Sequence, residues 1–204
     1  MTDLFNHGQR DLQDRFDTRR LADRVAERTI HQAFSDSERE FIEAQPMFFL
    51  ATTDAEGHVS CSYKGGTPGF VRIIEEDTLA FPSYDGNGMF MSMGNVAENG
   101  EVGMLFIDFA SQSRTRVNGV ASIDFDDPLV DSFPDAEFVV RVKAREIFFN
   151  CPRYIHRMEM VEPSAYAPTG EEPTPVPPWK RNEGIKQTLP VSDPSHDSNR
   201  PTGP

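Results

Sequence analysis

Cysteine is nearly absent from the chain, which has only two among its 204 residues. Cys61 and Cys151 stand ninety positions apart, and neither belongs to a Cys-x-x-Cys pair. This excludes a disulfide framework and a zinc knuckle, because both need several closely spaced cysteines. We therefore expect two reduced, half-buried thiols.

Long apolar stretches are also missing. The longest run, Met47–Ala51, is far shorter than the roughly 20 residues of a membrane-spanning helix. The first sixteen residues, MTDLFNHGQRDLQDRF, contain no apolar core of a secretory leader. The sequence therefore predicts a cytoplasmic protein with no membrane partner.

Positive charge is scarce. Lysine and arginine number 20 against 33 acidic residues, which gives a formal net charge of -13. Such a chain repels the phosphate backbone of nucleic acids and anionic lipid surfaces, so neither is an expected partner. Any anion that the protein binds must be held by a local group of basic residues.

Patterns of metal ligands and catalytic triads are absent as well. His156 and Glu159 are three positions apart, but no further ligands accompany them. The five histidines have no patterned serine or cysteine partner, and Cys151 follows a predicted strand rather than opening a helix. We predict no metal site, and we assign no catalytic residue.

The chain divides into three segments by composition: a helical segment at 1–45, a barrel domain at 46–161 and a proline-rich tail at 162–204. In the first segment, apolar residues at spacings of three and four predict one amphipathic helix over about 11–34. Ser35 and Glu38 have the form of a capping box, which predicts a second short helix that ends before Pro46.

The middle segment consists of short apolar or alternating stretches separated by turns, with one helix. The predicted strands cover 47–53, 58–63, 70–74, 78–81, 101–109, 114–125 and 137–146, and the predicted helix covers 89–98 with Met89, Met93 and Val96 on one face. About seven mostly antiparallel strands of this kind favour a mainly β fold with flanking helices, closed or nearly closed into a barrel.

The tail contains ten of the sixteen prolines, among serine, threonine and acidic residues. Such a composition buries too little apolar surface to offset the entropy lost on ordering, so we expect no stable structure there. Trp179 is the exception. It is the only tryptophan, and a lone large aromatic residue in a polar tail is expected to dock on the domain.

A few basic residues at strand ends and loops form the best candidate for an anion site. Lys64 precedes a Gly-Gly loop, and Arg72, Arg114 and Arg116 lie on predicted strands. Residues i and i+2 of a strand share a face, so Arg114 and Arg116 project together. The periodicity of the sequence by itself favours the alternative to an anion site, in which these basic side chains are solvated or paired with nearby carboxylates.

A glycine-rich turn between a strand and a helix is the second candidate. It runs from Phe81 to Met89 and contains Gly86 and Gly88. Glycines allow a ligand to approach the backbone, and the first turn of a helix offers free amides to a phosphate. The turn is neither a Walker loop nor a Gly-x-Gly-x-x-Gly motif, and such turns are common before helices.

The order of these motifs resembles the pyridoxamine 5'-phosphate oxidase-like family of flavin-binding split barrels. The residues that carry the resemblance are Ala-Thr-x-Asp-x-x-Gly at Ala51–Gly57, the strand end Phe81-x-Ser83, Asn99, Phe106 and the strand Arg114–Gly119. The resemblance spans about residues 40–155, and the block from Pro68–Arg72 through Asp85–Met89 is similar to a bacterial subgroup that binds FMN. It implies a six-stranded split barrel, a homodimer, and one FMN at each end of the dimer interface.

The resemblance also implies positions for the cofactor contacts. The family's phosphate-side strand falls on Thr67–Arg72, its Tyr-Thr pair on Pro82-Ser83, its Arg-Lys pair on Gly88-Met89, its glutamine on Arg114, and a tryptophan supplied by the partner on Trp179. With the two candidates above, the predicted FMN-binding residues are Lys64, Thr67, Val71, Arg72, Pro82, Ser83, Tyr84, Asn87, Gly88, Met89, Arg114, Thr115, Arg116 and Trp179.

Two departures from the family pattern affect the expected activity. Gly88-Met89 lacks both cations of the Arg-Lys pair, and no Arg-x-His for a pyridoxal substrate stands near the chain end. We therefore expect an FMN-dependent oxidoreductase that passes electrons between NAD(P)H or a small substrate and a small acceptor, rather than a pyridoxamine phosphate oxidase. The alternatives are a non-catalytic flavin-storage protein and a split barrel that holds deazaflavin or haem.

Overall fold

The computed structural model describes residues 4–204. Its N-terminal segment holds two helices, α1 (His7–Arg15) and α2 (Arg19–Thr29), where the sequence predicted one over 11–34. The break is at Asp17, whose backbone has a positive φ of 52°, a conformation that no residue adopts inside a right-handed helix. Neither helix contains a buried residue, so both lie on the outside of the domain. The first three residues of the predicted 1–45 segment lie outside the described part.

The predicted capping box and the helix after it are confirmed. Helix α3 (Asp36–Glu43) begins behind Ser35, whose side chain accepts a hydrogen bond from the Glu38 amide while the Glu38 carboxylate accepts one from the Ser35 amide. The helix ends before Pro46, as predicted, and its buried Ile42 joins the barrel core.

Seven strands form one antiparallel sheet in the order β2-β1-β5-β6-β7-β4-β3. They are β1 (Met47–Thr53), β2 (Val59–Gly65), β3 (Arg72–Ile73), β4 (Thr78–Tyr84), β5 (Glu101–Asp108), β6 (Ser113–Asp124) and β7 (Ala136–Phe149). Strands β2 and β3 are the two edges, so the barrel is open on the side where they face each other. The predicted mainly β split barrel with six or seven antiparallel strands is confirmed.

The core lies inside the curved sheet and follows from the alternation of the strands. Phe48, Phe81 and Phe106 are fully buried there, and the Phe48 ring lies 5.1 Å from each of the other two ring centroids. Alternate residues on β6 confirm the predicted pattern, because Thr115 and Val117 point inward between more exposed neighbours. The same alternation determines which side chains can reach a ligand from outside.

Several element boundaries near the split differ from the prediction: β2 ends at Gly65 instead of 63, and β4 ends at Tyr84 instead of 81. The strand predicted over 70–74 is reduced to β3, because Phe70 and Val71 are buried without pairing. The predicted helix is α4 (Met91–Glu98), and it begins two residues later than expected because Phe90 has a left-handed backbone with φ 47°. Met93 and Val96 are buried as predicted, whereas Met89 lies before the helix and is 64% exposed.

The proline-rich tail is ordered against the barrel, which differs from the prediction. It contains two short 3-10 helices, Pro178–Arg181 and Pro194–His196, and helix α5 (Glu183–Lys186). Lys180 is only 2% exposed, and Arg200 forms an ion pair of 3.1 Å with Asp135 of the domain. The prediction rested on the low apolar content of the tail. In the structure, charged and hydrogen-bonded contacts hold the tail to the domain instead.

Both cysteines are free, as predicted, but they are exposed rather than half-buried. Cys61 belongs to the outer face of the edge strand β2, and Cys151 follows the end of β7. Among residues 4–204, no helix has the length and apolar character needed to cross a membrane.

Candidate functional site

Two neighbouring cavities lie at the open side of the barrel. We name the first the barrel-split cavity; it measures about 230 Å³ and is lined by Lys64, Phe70, Phe81, Ser83, Tyr84 and Met93 among others. The second, the barrel–tail cavity, measures about 570 Å³ and is lined by Tyr84, Glu137, Tyr166, Trp179, Lys180 and Arg200 among others. The segment Tyr84–Gly86 borders both.

The barrel-split cavity lies between the edge strand β2 and the end of β4, which extends past its short neighbour β3 and has no strand beside it on that side. Tyr63–Gly65 line it from the edge strand β2, and Phe81–Tyr84 line it from β4. Helix α4 covers the same region through Met93 and through the Ser92 hydroxyl, which donates to the Ser62 hydroxyl at 3.0 Å. The two strand edges and the helix thus enclose a small space with apolar walls.

Lys64 supplies the positive charge of the barrel-split cavity. It is paired across the ladder with the inward-facing Phe48, so its side chain belongs to the inner face of β2. Within the described residues 4–204, its ammonium group has neither a hydrogen bond nor an ion pair. Burial lowers the pKa of Lys64 from its ordinary value, because the charged form loses hydration without gaining a partner. The amine is therefore available to an anion.

Tyr84 stands between the two cavities. Burial raises the pKa of its hydroxyl to about 12, with a smaller opposing effect from Arg72 and a reinforcing one from Asp135. The phenol consequently stays protonated at neutral pH and remains a hydrogen-bond donor. It offers an aromatic ring and a hydrogen-bond donor to both cavities.

The tail is fastened beside Tyr84 by one buried lysine. The Lys180 ammonium donates to the Asp85 carboxylate at 2.6 Å and to the Asp193 carboxylate at 2.8 Å. Burial by itself would lower the pKa of Lys180, but hydrogen bonds to the two carboxylates outweigh it and raise the pKa. Lys180 thus stays charged and closes the barrel–tail cavity on one side.

Six of the predicted FMN-binding residues line these cavities. Lys64, Pro82 and Ser83 line the barrel-split cavity, Asn87 and Trp179 line the barrel–tail cavity, and Tyr84 lines both. Trp179 lines the barrel–tail cavity from the tail and remains 44% exposed.

Arg72 does not join Lys64, so the prediction of a single cationic cleft is wrong within one chain. Its guanidinium donates to the Ser132 hydroxyl at 2.7 Å and to the Ser132 carbonyl at 2.9 Å, and it lies 3.9 Å from the Phe133 ring centroid. These contacts join β3 to the loop before β7. The Arg72 guanidinium therefore stabilises the packing of the domain through these contacts.

Arg114 and Arg116 also stay apart from Lys64. They share the outer face of β6, as predicted, since the intervening Thr115 is buried. Arg114 donates to the Cys151 carbonyl at 3.2 Å, while its Nε is buried with no partner among residues 4–204, and Arg116 lies 5.8 Å from the Phe148 ring centroid. Both arginines therefore belong to the outside of the barrel, and Thr115 to its core.

The remaining predicted residues lie outside both cavities. Thr67 donates its hydroxyl to the Pro168 carbonyl of the tail at 3.4 Å, and Val71 is fully buried. Gly88 and Met89 form the turn before α4, where the Met89 amide donates to the Asn87 side chain at 3.0 Å.

Several lining residues are not among the predicted site residues. Met93 was assigned to a helix, and its pattern identifies a core position without showing that it borders a cavity. Glu137, Tyr166 and Arg200 come together only because the tail folds back on the domain. No local motif indicates that contact, which joins segments many residues apart.

The fold and the cavities define an open antiparallel β-barrel with a small cavity at its split. The sequence model of the pyridoxamine 5'-phosphate oxidase family matches residues 34–157, which is more than half of the chain. The chain therefore belongs to the pyridoxamine 5'-phosphate oxidase-like family of FMN-binding split barrels.

Three solved structures illustrate what the chain is similar to. HupZ from Group A Streptococcus is 16% identical, with 62% of this chain and 99% of that chain covered and a TM-score of 0.48. HutZ, the heme storage protein from Vibrio cholerae, is 16% identical over 57% and 95% of the chains, with a TM-score of 0.42. An FMN-binding protein from Syntrophomonas wolfei is 17% identical over 68% and 95%, with a TM-score of 0.40. Among the curated proteins, none matches.

Proposed function

We propose that the protein binds FMN and acts as an oxidoreductase that passes electrons between NAD(P)H or a small substrate and a small acceptor. The observation that carries this proposal is the unpaired Lys64 in a cavity at the barrel split of a chain that belongs to this family. We further propose that it acts in the cytoplasm without nucleic-acid or membrane partners, in keeping with its net charge of -13.

The residues of the barrel-split cavity fit the groups that FMN presents. A phosphate requires a positive charge, and the Lys64 ammonium lacks any other partner among the described residues. A flavin ring requires apolar walls, which Phe70, Phe81 and Met93 offer, with Ser83 and Tyr84 as polar groups at the edge. When bound, FMN supplies reversible hydride and single-electron chemistry, while these residues position it and limit its contact with water.

The barrel-split cavity, at about 230 Å³, is smaller than the roughly 300–1,000 Å³ typical of pockets for ligands of cofactor size. We propose that a second copy of the chain completes it. The outer face of the sheet carries Phe49, Tyr63 and Leu105 next to one another in the ladders, and Tyr63 is 62% exposed. In a symmetric dimer through this face, Arg114 and Arg116 of the other copy would bring further positive charge to the cofactor.

The test is the absorption spectrum of the purified protein followed by a titration with FMN. We expect a flavin spectrum, or quenching of flavin fluorescence as FMN binds, and oxidation of NAD(P)H by the loaded protein. A haem or deazaflavin spectrum would overturn the proposed cofactor. Binding of FMN without turnover of NAD(P)H or small substrates would contradict the oxidoreductase activity and support a flavin-storage role.

Substitution of Lys64 tests the proposed phosphate contact. A charge-assisted hydrogen bond contributes about 1.5–3 kcal/mol, so Lys64→Met should weaken FMN binding about 10- to 150-fold. Lys143→Met is the matched control, because Lys143 lies on β7 with a 72% exposed side chain and lines neither cavity. Equal affinities of the two variants would contradict the assignment.

A further inference from the structure

The barrel–tail cavity has the walls of a binding site for an organic molecule. Its volume of about 570 Å³ lies inside the range of about 300–1,000 Å³ seen for small-molecule pockets. Three aromatic side chains, Tyr84, Tyr166 and Trp179, line it together with five prolines of the tail. Aromatic side chains of this kind supply contact area to a ligand with little side-chain entropy to lose.

The charges around this cavity are unbalanced. Four carboxylates line it, those of Asp85, Asp135, Glu137 and Asp193, against the two cations Lys180 and Arg200. Lys180 is engaged with Asp85 and Asp193, and Arg200 is engaged with Asp135. The formal charge of the lining is therefore -2, and neither cation is free to receive an anionic ligand. A phosphate or carboxylate group is disfavoured in this cavity.

Glu137 is the one of these four carboxylates that forms no ion pair with Lys180 or Arg200. It is the second residue of β7, and within the part of the chain that the structure describes its side chain has no hydrogen bond or ion pair. Partial burial raises the pKa of this carboxyl, and the nearby Asp85 raises it further, with Lys180 acting in the opposite direction. A ligand with a positive charge would relieve both effects.

We propose that the barrel–tail cavity binds an organic cation, a substituted ammonium group held by Glu137 and by the rings of Tyr166 and Trp179, the second of which already has the Lys180 ammonium 5.7 Å from its centroid. Ammonium groups are attracted to the electron-rich faces of aromatic rings, and a neighbouring carboxylate adds to the attraction. The inference goes beyond the proposed function, because it rests on side chains that do not hold the flavin phosphate. The shared segment Tyr84–Gly86 would place such a cation beside the barrel-split cavity.

The single tryptophan makes this inference directly measurable. Trp179 is the only tryptophan of the chain, so intrinsic tryptophan fluorescence reports on this cavity alone. We would titrate the protein with choline and, separately, with 3,3-dimethylbutan-1-ol, which has the same shape without the charge. A cation–π contact of about 0.5–2 kcal/mol predicts that choline binds about 2- to 30-fold more tightly. Equal affinities of the two probes, or no saturable change with choline, would overturn the inference.

A charge-neutral variant provides the second test. Glu137→Gln keeps the size of the side chain and should weaken choline binding about fivefold while leaving the alcohol unchanged. Glu172→Gln is the control, because Glu172 is an exposed acidic residue of the tail that does not line the cavity. Unchanged choline affinity in Glu137→Gln would contradict the assigned carboxylate. The same titrations are measured by calorimetry where the fluorescence change of Trp179 is small.

The outcome is independent of the flavin proposal. The titrations are carried out on the protein with and without added FMN. A colourless protein that ignores FMN but prefers choline would support the cation site and overturn the proposed cofactor. A protein that binds FMN but binds choline and the alcohol equally would support the proposed cofactor and overturn the cation site.

Discussion

The Lys180 ammonium lies 2.6 Å from the Asp85 carboxylate and thereby joins two residues that stand 95 positions apart. The same ammonium lies 2.8 Å from Asp193, so one buried cation holds two segments together. Asp85 belongs to the glycine-rich turn between β4 and α4, whereas Lys180 and Asp193 belong to the tail. The proline-rich tail is thus attached to the turn that borders both cavities.

Removing this lysine should release the tail. Lys180→Met leaves the buried Asp193 carboxylate without a partner, and breaking a buried ion pair in this way costs about 3–5 kcal/mol. We expect faster proteolysis within residues 162–204 and loss of amide protection there, with the barrel unchanged. Lys186→Met, which alters an exposed lysine of α5, is the control. Tail protection that is the same in both variants would show that Lys180 does not hold the tail.

Asp127 and Arg141 should make the stability of the barrel depend on acid pH. The carboxylate is buried and accepts hydrogen bonds from the guanidinium at 2.5 and 3.0 Å, and these bonds hold the pKa of Asp127 below its ordinary value. A lowered folded-state pKa contributes stability that is complete above the unfolded pKa of about 4 and is lost as pH falls through the folded value.

The measurement compares the wild type with Asp127→Asn in urea denaturation at several pH values. At pH 7 we expect the variant to lose about 2–3 kcal/mol of unfolding free energy, because it leaves guanidinium donors facing an amide. The difference should be constant down to about pH 4 and shrink below it. Asp131→Asn, at an exposed position, should show no such pH dependence. A difference that stays constant below pH 4 would contradict the role of the carboxylate.

Gly119 should tolerate no side chain. It lies at the register shift between β6 and β7, and a Cβ atom there would stand 2.2 Å from the Lys143 carbonyl oxygen. Gly119→Ala should therefore destabilise the protein by about 1–3 kcal/mol in urea denaturation. Gly103→Ala on the neighbouring strand, where the nearest atom would be at 3.5 Å, should change stability by less than about 0.5 kcal/mol. Equal effects of the two substitutions would rule out the steric explanation.

A charge on the outer sheet face should prevent the proposed dimer. Leu105 is half-buried in one chain and lies opposite Phe49 in the ladder, so Leu105→Glu would place a carboxylate in the centre of the contact. We expect light scattering to report a dimer for the wild type and a monomer for the variant, with weaker FMN binding. Leu12→Glu, on the exposed face of α1, should remain dimeric. A monomeric wild type would refute the proposal outright.

Local patterns predicted much of the fold. The capping box of Ser35 and Glu38 forms α3 in the structure, and alternation identified the buried side of β6 around Thr115. The helix predicted over 11–34 is interrupted at Asp17, because a single backbone conformation overrides an amphipathic pattern. Such conformations depend on how the flanking helices pack, which periodicity does not describe.

The candidate site was predicted less completely. Lys64, Ser83 and Tyr84 line a cavity, and their position at strand ends beside glycines indicated as much. Arg72 was expected beside Lys64 but lies over the Phe133 ring. Its partner Ser132 is sixty residues away in sequence, and no spacing rule reveals such a pair.

Hydrophobic alternation, turns and caps are local properties, so the chain by itself determined an antiparallel barrel and the face of each strand that is buried. The tertiary structure alone decided which charges are satisfied. Lys180 is neutralised by Asp85 and Asp193 because the tail folds back, while Lys64 and Glu137 are left without partners among the described residues. Charge pairing acts between side chains that are close in space, and only the path of the folded chain determines that closeness.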